Sequence, residues 1–530
     1  MRHGVAQLAW LVLLLPAQTL AQNEFRSIDG TGNHAAVPEM GAANTPLQRW
    51  LAPDYGDGMS SLAGADRPSA RVISNLVHSQ GTALGNPQGA SNLLWQWGQF
   101  VDHDIDLTKP GEPAEPAPVP VPSGDAHFDP LGSGTAEIPF DRSVFDPATG
   151  GDPSQPRQQL NQITSWIDGS VVYGSDPERA AVLRTNDGTG RLETSDGDLL
   201  PFNTAGLPNA GGHGAELFLA GDVRANENVG LTTLHTVFVR EHNRRAKKLR
   251  RRHPRWDGER VYQEARRYVG AVIQAITFEE FLPALLGPGA IRPYTGYEPE
   301  IDARISNVFS TAAYRFGHSA LSPELWRLDK KGRMLDVGPL ALRDAFFAPA
   351  RVLEDGGLEP LLRGLAAQPC QEVDVAIVDD VRNFLFGPSL EAGGLDLAAL
   401  NIQRGRDHGL PSYNDARSAF GMARATRFDQ VTSQAEVSAG LEQAYADPDA
   451  IDVWAGGLAE DPVPGSHLGE LFHRIVADQF EALRDGDRFW YEASLTKREQ
   501  RRVRRARLSK IVRRNTRVGG ELQRDVFHVR

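Results

Sequence analysis

The chain has 530 residues, and its 68 acidic and 56 basic side chains give a formal net charge of −12 at pH 7. This excess of negative charge argues against a general nucleic-acid-binding protein, because such proteins present a basic surface to the phosphate backbone. Hydrophobic residues make up 40% and charged residues 23% of the chain, the proportions of a folded globular protein rather than a disordered one.

The first 21 residues have the pattern of a secretory signal peptide. Arg2 and His3 precede an apolar run, and Thr19–Ala21 offers small residues at the cleavage positions. No later run reaches the roughly 18 apolar residues of a membrane-spanning helix, so we expect a secreted protein, extracellular or periplasmic, with no transmembrane segment. Cys370 is the only cysteine. It therefore cannot form an intrachain disulfide, and we favour a buried, inert thiol.

The remaining chain predicts an arm followed by a helical body. Residues 23–66 are rich in Gly, Asn, Pro and Asp, and we predict an extended arm over residues 22–90 that wraps the protein. A helix at Ser91–Leu107 precedes an exposed proline-rich loop at 109–124 and mostly irregular chain at 125–215. Further predicted helices are Leu231–Arg252, Gly258–Leu286, Ser306–Ser319, Leu395–Asp407, Ser412–Phe420, Ser433–Tyr445 and Leu468–Leu483. We therefore predict an all-α fold with long irregular loops and little β-structure.

A basic run lies near the end of the chain, at residues 497–514. It is consistent with a patch that binds a polyanion or a cell envelope, and equally with the solvated face of a helix. From the sequence we favour the solvated face.

Three ionisable residues stand in a row inside the apolar segment around His103. On a helix, Asp102, His103 and Asp104 project about 100° apart and must meet three different neighbours, whereas Gln99 shares the face of His103. Burying three such groups is costly unless each is paired or bound to a metal. The alternative is a helix whose surface happens to read Asp-His-Asp.

A loop within the irregular chain alternates oxygen-bearing groups. They are the side chains of Thr164, Asp168 and Ser170 and the carbonyl of Trp166. Hard cations such as Ca²⁺ take six to eight oxygen ligands, and Asp104 could add a distant carboxylate. The alternative is a turn whose polar side chains bond to their own backbone.

Three shorter stretches carry candidate groups of their own. Arg224 and Glu227 are three residues apart, which would place them on one helical face, although a surface ion pair explains them as well. His318 follows a glycine at a predicted helix end, where a flat cofactor could approach closely. The Asn401 amide and the Arg404 guanidinium lie on successive turns, and arginine forks suit cofactor carboxylates.

Taken together, five stretches in this order resemble the animal-type haem peroxidases of the peroxidase–cyclooxygenase superfamily. They are WGQFVDHDIDLT at 97–108, TSWIDGSVVYGS at 164–175, GDVRANE at 221–227, YRFGH at 314–318 and LNIQRGRDHGLPSYN at 400–414. The resemblance covers roughly residues 25–530 and implies a catalytic domain over 91–530 that binds haem b and Ca²⁺. It also implies reduction of hydrogen peroxide with a halide, thiocyanate or small phenolic donor. We expect a monomer.

Residue roles follow from the resemblance by matching position. His318 matches the proximal ligand of the haem iron, and Asn401 matches the acceptor that fixes its tautomer. His103 matches the distal acid–base residue, Gln99 the residue that orients peroxide or halide, and Arg224 the group that stabilises charge as the O–O bond breaks.

The resemblance also assigns residues around the haem edge and the cation. Asp102 and Glu227 match carboxylates that form esters with haem methyl groups in the family, and Arg315 and Arg404 match cofactor-binding arginines. The residues that match the calcium shell are Asp104, Thr164, Trp166, Asp168 and Ser170.

Two departures from family patterns bear on the substrate. Asn228 stands where some members have a methionine that forms a sulfonium link to haem, so we predict that bromide, iodide and thiocyanate are oxidised more readily than chloride. Arg315 replaces the radical tyrosine that cyclooxygenases carry three residues before the proximal histidine. This argues against a fatty-acid dioxygenase, which remains an alternative together with a haem-poor, calcium-binding adhesion module.

Overall fold

The computed structural model describes residues 24–530 except 82, 355 and 388–393, so the predicted signal peptide lies outside the described residues. The described chain is mainly helical, which confirms the predicted fold class. The helices are α1 (Ala70–Val77), α2 (Leu93–Ile105), α3 (Ser170–Tyr173), α4 (Pro177–Val182), α5 (Val229–Arg252), α6 (Gly258–Ile276), α7 (Leu282–Leu286), α8 (Asn307–Thr311), α9 (Ala350–Glu354), α10 (Leu358–Ala367), α11 (Asp379–Arg382), α12 (Leu397–Asp407), α13 (Tyr413–Ala419), α14 (Ala435–Ala444), α15 (Val453–Ala459), α16 (Glu470–Asp485), α17 (Tyr491–Ser494), α18 (Lys497–Val503) and α19 (Leu508–Asn515).

The β-sheets of the described residues are three antiparallel pairs of short strands, and isolated β-bridges occur elsewhere in the loops. The pairs are β1 (Thr45–Pro46) with β4 (Leu160–Asn161), β2 (Val119–Pro120) with β3 (Glu137–Ile138), and β5 (Glu324–Leu325) with β6 (Leu340–Ala341). Strand β2 lies in the loop predicted to be exposed, and Val119 and Val121 are buried. That prediction was therefore wrong for the second half of the loop, because its valines pack into the core.

Helix α2 lies in the hydrophobic core and is buried nearly all round. Eleven of its 13 residues are buried, as expected of a helix that is packed on every side. Trp97 and Phe100 pack on Phe238 of α5, with ring centroids 5.7 and 5.1 Å apart. The helix ends where Asp106 adopts an extended backbone (φ −143°, ψ 130°). This packing fixes the direction in which the Asp-His-Asp triplet projects.

Helices α5 and α6 begin at side-chain caps. Asn228 Oδ1 accepts from the backbone N–H of Leu231 at 2.8 Å, and Asp257 Oδ1 accepts from that of Arg260 at 2.7 Å. Such caps satisfy N–H groups that have no partner inside the helix. Helix α6 continues through a π-helical turn, Thr277–Phe281, into α7.

The continuous helical segment Gly258–Leu286 corrects one expectation about apolar runs. By length and composition it could cross a membrane, with a mean hydropathy of 1.5 over its most apolar window, but 78% of that window is buried inside the protein. The core helix of a folded domain has the same character, so this segment is weak evidence for a membrane span.

Two helix predictions were wrong at the site. Residues 306–319 do not form one helix, because Ala312 (φ −133°, ψ −69°) separates α8 from a 3₁₀ turn that ends at His318. Arg224 and Glu227 do not share a helical face, because they lie in the turn that precedes α5.

The N-terminal segment and the lone cysteine are both tied to the body. Arg26 forms an ion pair with Asp487 at 2.5 Å, and the backbone N–H of Gln48 donates to the carbonyl of Ile305 at 2.8 Å. The division into an arm and a domain nevertheless stays a prediction. Cys370 is a free thiol with no exposed surface, and burial raises its pKa to about 12.

Candidate active site

His103 and His318 line one cavity of about 510 Å³. His103 comes from α2, and His318 comes from the 3₁₀ turn after α8. The other predicted catalytic and cofactor-binding residues in its lining are Gln99, Asp102, Arg224, Glu227, Arg315, Asn401 and Arg404. Apolar side chains that line the cavity include Phe316, Leu321, Leu342, Phe346, Val381 and Leu385. The structure thus brings together residues that are up to 305 positions apart in the sequence.

The imidazole of His103 is neutral and lies between two carboxylates. Burial, with the nearby Arg224 guanidinium, holds the pKa of His103 well below 6.5. Nδ1 lies 3.5 Å from Oδ1 of Asp222, and Nε2 lies 3.8 Å from Oε2 of Glu227. Nδ1 makes no hydrogen bond within the described chain, so Asp222 acts on it through its charge. An ionised Asp222 favours the proton on Nδ1 and leaves Nε2 as the basic nitrogen.

Asp222 also holds Arg224 in place. Its two carboxylate oxygens accept from Nε and Nη2 of Arg224, each at 2.9 Å, in a bidentate pair. Burial alone would raise the pKa of Asp222, but the charge of Arg224 and the hydrogen bonds from it outweigh burial and hold that pKa well below 3.8. Arg224 Nη1 remains 3.6 Å from Oδ2 of Asp102 at the cavity. The guanidinium is therefore charged and fixed in direction.

Two amides and one carboxyl group determine which way the Gln99 side chain faces. Its Oε1 accepts from Nε2 of Gln96 at 3.0 Å and from Nδ2 of Asn228 at 2.8 Å. Its Nε2 donates to Oε2 of Glu227 at 3.1 Å. Because the amide oxygen already has two donors, Gln99 presents its N–H₂ group to Glu227 and the cavity.

The two carboxyl groups predicted to lie at a cofactor edge, Asp102 and Glu227, have pKa values raised to near neutral pH. Burial, followed by the charge of Asp106, raises the pKa of Asp102 to about 8. Burial raises the pKa of Glu227 to about 7, although Arg224 opposes this. Both therefore carry a protonated fraction at pH 7 while facing the cavity.

His318 is also neutral, but its amide partner is reversed from the prediction. Burial and the charge of Arg315 lower the pKa of His318 to about 3. Nδ2 of Asn401 lies 2.8 Å from Nδ1 of His318, while Oδ1 of Asn401 accepts from Nη1 of Arg315 at 3.1 Å. The predicted acceptor thus faces the arginine instead, because Arg315 is the stronger donor. A 180° turn of the amide would exchange the two atoms without moving the backbone.

Arg315 and Arg404 differ in how their charges are balanced. Burial and the charge of Arg404 lower the pKa of Arg315 to about 10, so it stays protonated at neutral pH, and it has no ion-pair partner in the described chain. Arg404 donates to Oδ2 of Asp407 at 3.0 Å and lies over the Phe140 ring. A buried, unpaired guanidinium at a cavity is costly unless an anion joins it.

The chemistry of these side chains fits a haem group. Once the Asn401 amide is turned so that its oxygen accepts from Nδ1, the neutral imidazole of His318 can bind iron through Nε2. Apolar walls suit a flat macrocycle, and the charge of Arg315 suits a haem carboxylate. Asp102 and Glu227 also line this cavity and supply the carboxyl groups that an ester link to haem would need. The groups that line the cavity therefore suit haem.

The loop predicted to bind a cation lies directly behind α2. Oδ1 of Asp104 accepts from the backbone N–H of Val171 at 2.8 Å and from Oγ of Ser170 at 3.2 Å. Oδ2 of Asp168 accepts from Oγ1 of Thr164 at 3.3 Å. The five residues predicted to form the cation shell are all buried: Asp104, Thr164, Trp166, Asp168 and Ser170. As helical geometry predicts, the neighbours of Asp102, His103 and Asp104 are different.

The oxygen set of this loop is modest for a metal. No cluster of three or more His, Cys, Asp or Glu residues occurs in the described part of the chain, so the loop offers two carboxylates plus hydroxyl and carbonyl oxygens. Burial and the charge of Asp168 raise the pKa of Asp104 to about 8. A hard cation bound by the oxygens of Asp104 and Asp168 would relieve the repulsion between these two buried carboxylates.

Asp222 is the site residue that sequence reasoning missed. It lies within the GDVRANE motif, two positions before Arg224, and the Asp-x-Arg spacing was the available signal. The bidentate pair between Asp222 and Arg224 forms in a turn. It was missed because Arg224 and Glu227 were assumed to lie on a helix.

Two neutral imidazoles, the charged guanidiniums of Arg224 and Arg315 and two partly protonated carboxyl groups around one cavity of a helical fold fit a haem-binding oxidoreductase. The animal haem peroxidase family matches residues 25–527, and the chain belongs to this family. It is therefore a haem peroxidase.

Peroxinectin A from Dictyostelium discoideum is 37% identical over 522 residues, which cover 95% of this chain and 96% of that protein. Thyroid peroxidase from Sus scrofa is 38% identical over 93% of this chain, but the match covers 59% of that protein, so the chain spans about three fifths of that relative's length. The structure of peroxidase A from Dictyostelium discoideum matches with a TM-score of 0.88 at 36% identity, over 96% of this chain and 100% of that chain.

A fatty acid alpha-dioxygenase from Arabidopsis thaliana shares the fold. It matches with a TM-score of 0.80 over 98% of this chain and 84% of that chain, at 20% identity. At that identity the likeness shows the fold alone.

Proposed function

We propose that the protein is a secreted peroxidase that reduces hydrogen peroxide and oxidises a halide, thiocyanate or a small phenol, with bromide and iodide preferred over chloride. The observation that carries this proposal is the pair formed by neutral His103 and ionised Asp222 at the cavity that His318 also lines. Haem, bound through His318, would supply the redox-active iron.

In this proposal the distal residues handle the proton and the charge of peroxide. Nε2 of His103 accepts a proton from hydrogen peroxide and returns it to the departing oxygen, which leaves as water. Arg224 stabilises negative charge while the O–O bond breaks. The N–H₂ group of Gln99 orients the peroxide or the halide. Asp222 keeps His103 in the required tautomer throughout.

The donor preference rests on Asn228. Its side chain is engaged as the cap of α5 and as a donor to Gln99, and it has no sulfur with which to form a sulfonium link to haem. We therefore propose a haem of lower oxidising power than in members with such a link, one that favours bromide and iodide over chloride. Ester links through Asp102 and Glu227 and a calcium ion at the loop complete the proposal.

One observation favours the dioxygenase alternative. The hydroxyl of Tyr314 is buried without a hydrogen-bond partner in the described chain, and its ring lines the cavity. It stands four residues before His318, however, and Arg315 occupies the position three residues before. Oxygen uptake with linoleate that is lost in Tyr314→Phe would favour this alternative.

The deciding experiment compares halides on purified, haem-loaded protein. The visible spectrum is recorded before and after peroxide, and initial rates of bromination and chlorination are then measured at equal halide concentration near neutral pH. We expect a peroxide-dependent spectral change and a higher rate with bromide, both absent in His103→Ala. Equal rates with the two halides would contradict the donor preference. A normal peroxide reaction in His103→Ala would contradict the proposed mechanism.

A further inference from the structure

A dense cluster of positive charge lies on one face of this acidic protein, away from the cavity. Residues 497–514 contain ten basic side chains and one acidic side chain. Helix α18, the turn after it and α19 form a groove of about 420 Å³, here called the basic groove. Its lining residues are Arg498, Arg501, Arg502, Arg505, Ala506 and Arg514.

The C-terminal part of α5 extends this charge. Arg244, Lys248 and Arg252 are spaced four apart and share one helical face. Burial and the charges of Arg252, Arg244 and Arg502 lower the pKa of Lys248, as expected if this stripe lies beside α18. Helix α19 packs on α5, and Arg514 pairs there with Glu241. Two elements that are distant in sequence therefore build one basic surface.

Most arginines of the basic groove are not used to hold the protein together. Arg504 pairs with Glu492 and Arg514 with Glu241, but Arg498, Arg501, Arg502 and Arg505 form no ion pair within the described residues. The one acidic residue of the run, Glu499, is engaged by the Thr496 cap and lies 3.9 Å from Arg267. Like charges held side by side in one groove without an acidic partner create a positive potential that favours an external anion.

The lining of the basic groove narrows the class of anion. It has no aromatic side chain on which a base could stack, which disfavours single-stranded nucleic acid. The exposed large hydrophobic side chains of the described chain all lie outside residues 497–514, which disfavours insertion into a membrane. Guanidinium forks pair with sulfate and phosphate oxygens in two-point contacts. We propose that the basic groove binds a polysaccharide that carries sulfate or phosphate groups.

The experiment uses heparin as the probe and the haem-loaded full chain. The groove variant is Arg498→Gln, Arg501→Gln, Arg505→Gln. The matched control is Arg333→Gln, Arg424→Gln, Arg427→Gln, which removes the same charge from exposed arginines paired with aspartates elsewhere.

Affinity for heparin is measured at increasing NaCl concentration. We expect wild type and control to bind with the same steep salt dependence. In the groove variant the slope of log Kd against log salt should be smaller by about three, roughly one for each lost contact. Peroxidase activity, the Soret band and the unfolding midpoint should be equal in all three proteins. If the triple variant does not fold, Arg505→Gln alone should lose about one from the slope.

Three results would overturn the inference. The first is an equal loss of affinity in the control, because net charge rather than the basic groove would then be responsible. The second is the absence of heparin binding by wild type at low salt. The third is tighter binding of oligo(dT) or of phosphatidylserine vesicles than of heparin, because the partner would then belong to another class.

Discussion

The role given to Asp222 makes a prediction that separates it from a merely structural residue. Asp222→Asn removes the charge that favours the proton on Nδ1 of His103 and weakens two charge-assisted hydrogen bonds to Arg224, each 2.9 Å long. Losing one partner of a buried ion pair costs about 3–5 kcal/mol. Arg224 keeps its bond to the Asp106 carbonyl at 2.8 Å, so we expect the lower end of that range.

The same substitution should slow the reaction with peroxide. A correctly oriented general base contributes about 10²–10⁴-fold, so we expect Asp222→Asn to react about 100-fold more slowly when the Soret band is followed after rapid mixing with peroxide. Stability is measured separately by denaturant unfolding.

A matched control is Asp125→Asn, which breaks another buried pair, with Arg71 at 2.7 Å, away from the cavity lining. It should lose stability without losing the peroxide reaction. A variant Asp222→Asn that reacts with peroxide within twofold of wild type, while His103→Ala reacts slowly, would refute the reasoning.

Three further predictions address the cofactor, the cation and pH. His318→Ala should lose haem, measured as loss of Soret absorbance after gel filtration, because the proposed metal ligand is gone; retention of a normal Soret band would exclude that role. The double variant Asp102→Asn, Glu227→Gln should release haem into acidified acetone, whereas wild-type haem should stay with the protein; wild-type haem that extracts freely would exclude the ester links. Chelation of Ca²⁺ should lower the unfolding midpoint of wild type, because Ca²⁺ at a free concentration of 100 times its Kd adds about 2.7 kcal/mol to the free energy of unfolding. The effect should vanish in Asp168→Asn. Esterified Asp102 and Glu227 would no longer titrate, so the pH test uses protein whose haem resists acidified acetone. The lowered pKa of His103 keeps the base neutral above that pKa, so the peroxide rate of this protein should stay constant as pH falls through 6.5 and decline only well below it; a decline centred on 6.5 would contradict the burial argument.

Much of the fold and site could be predicted from sequence because the informative patterns are local. The triplet at 102–104 lies on a helix that was predicted within two residues, and the periodicity of α2 is enough to send its three side chains in different directions. The cofactor-binding and catalytic candidates came from motifs whose order along the chain was informative, and the structure places them all at one cavity.

What could not be predicted depends on contacts between distant segments. The orientation of the Asn401 amide is decided by competition between His318 and Arg315 for its oxygen, which no spacing reveals. The break at Ala312 was missed because residues 306–319 keep an apolar pattern across it. The basic groove depends on how α18, the turn after it and α19 are placed relative to one another, so the charges of the run 497–514 alone predicted no more than a solvated helix.

Cys370 bears on how long such an enzyme survives its own chemistry. Strong oxidants attack the thiolate rather than the thiol, and they attack accessible sulfur first. The sulfur of Cys370 has no exposed surface, and its pKa of about 12 keeps it a thiol. An oxidising product that diffuses away from the haem therefore meets neither a thiolate nor an accessible sulfur there. The single thiol is therefore a poor target for self-inactivation, and covalent damage to the enzyme during turnover should fall first on other side chains.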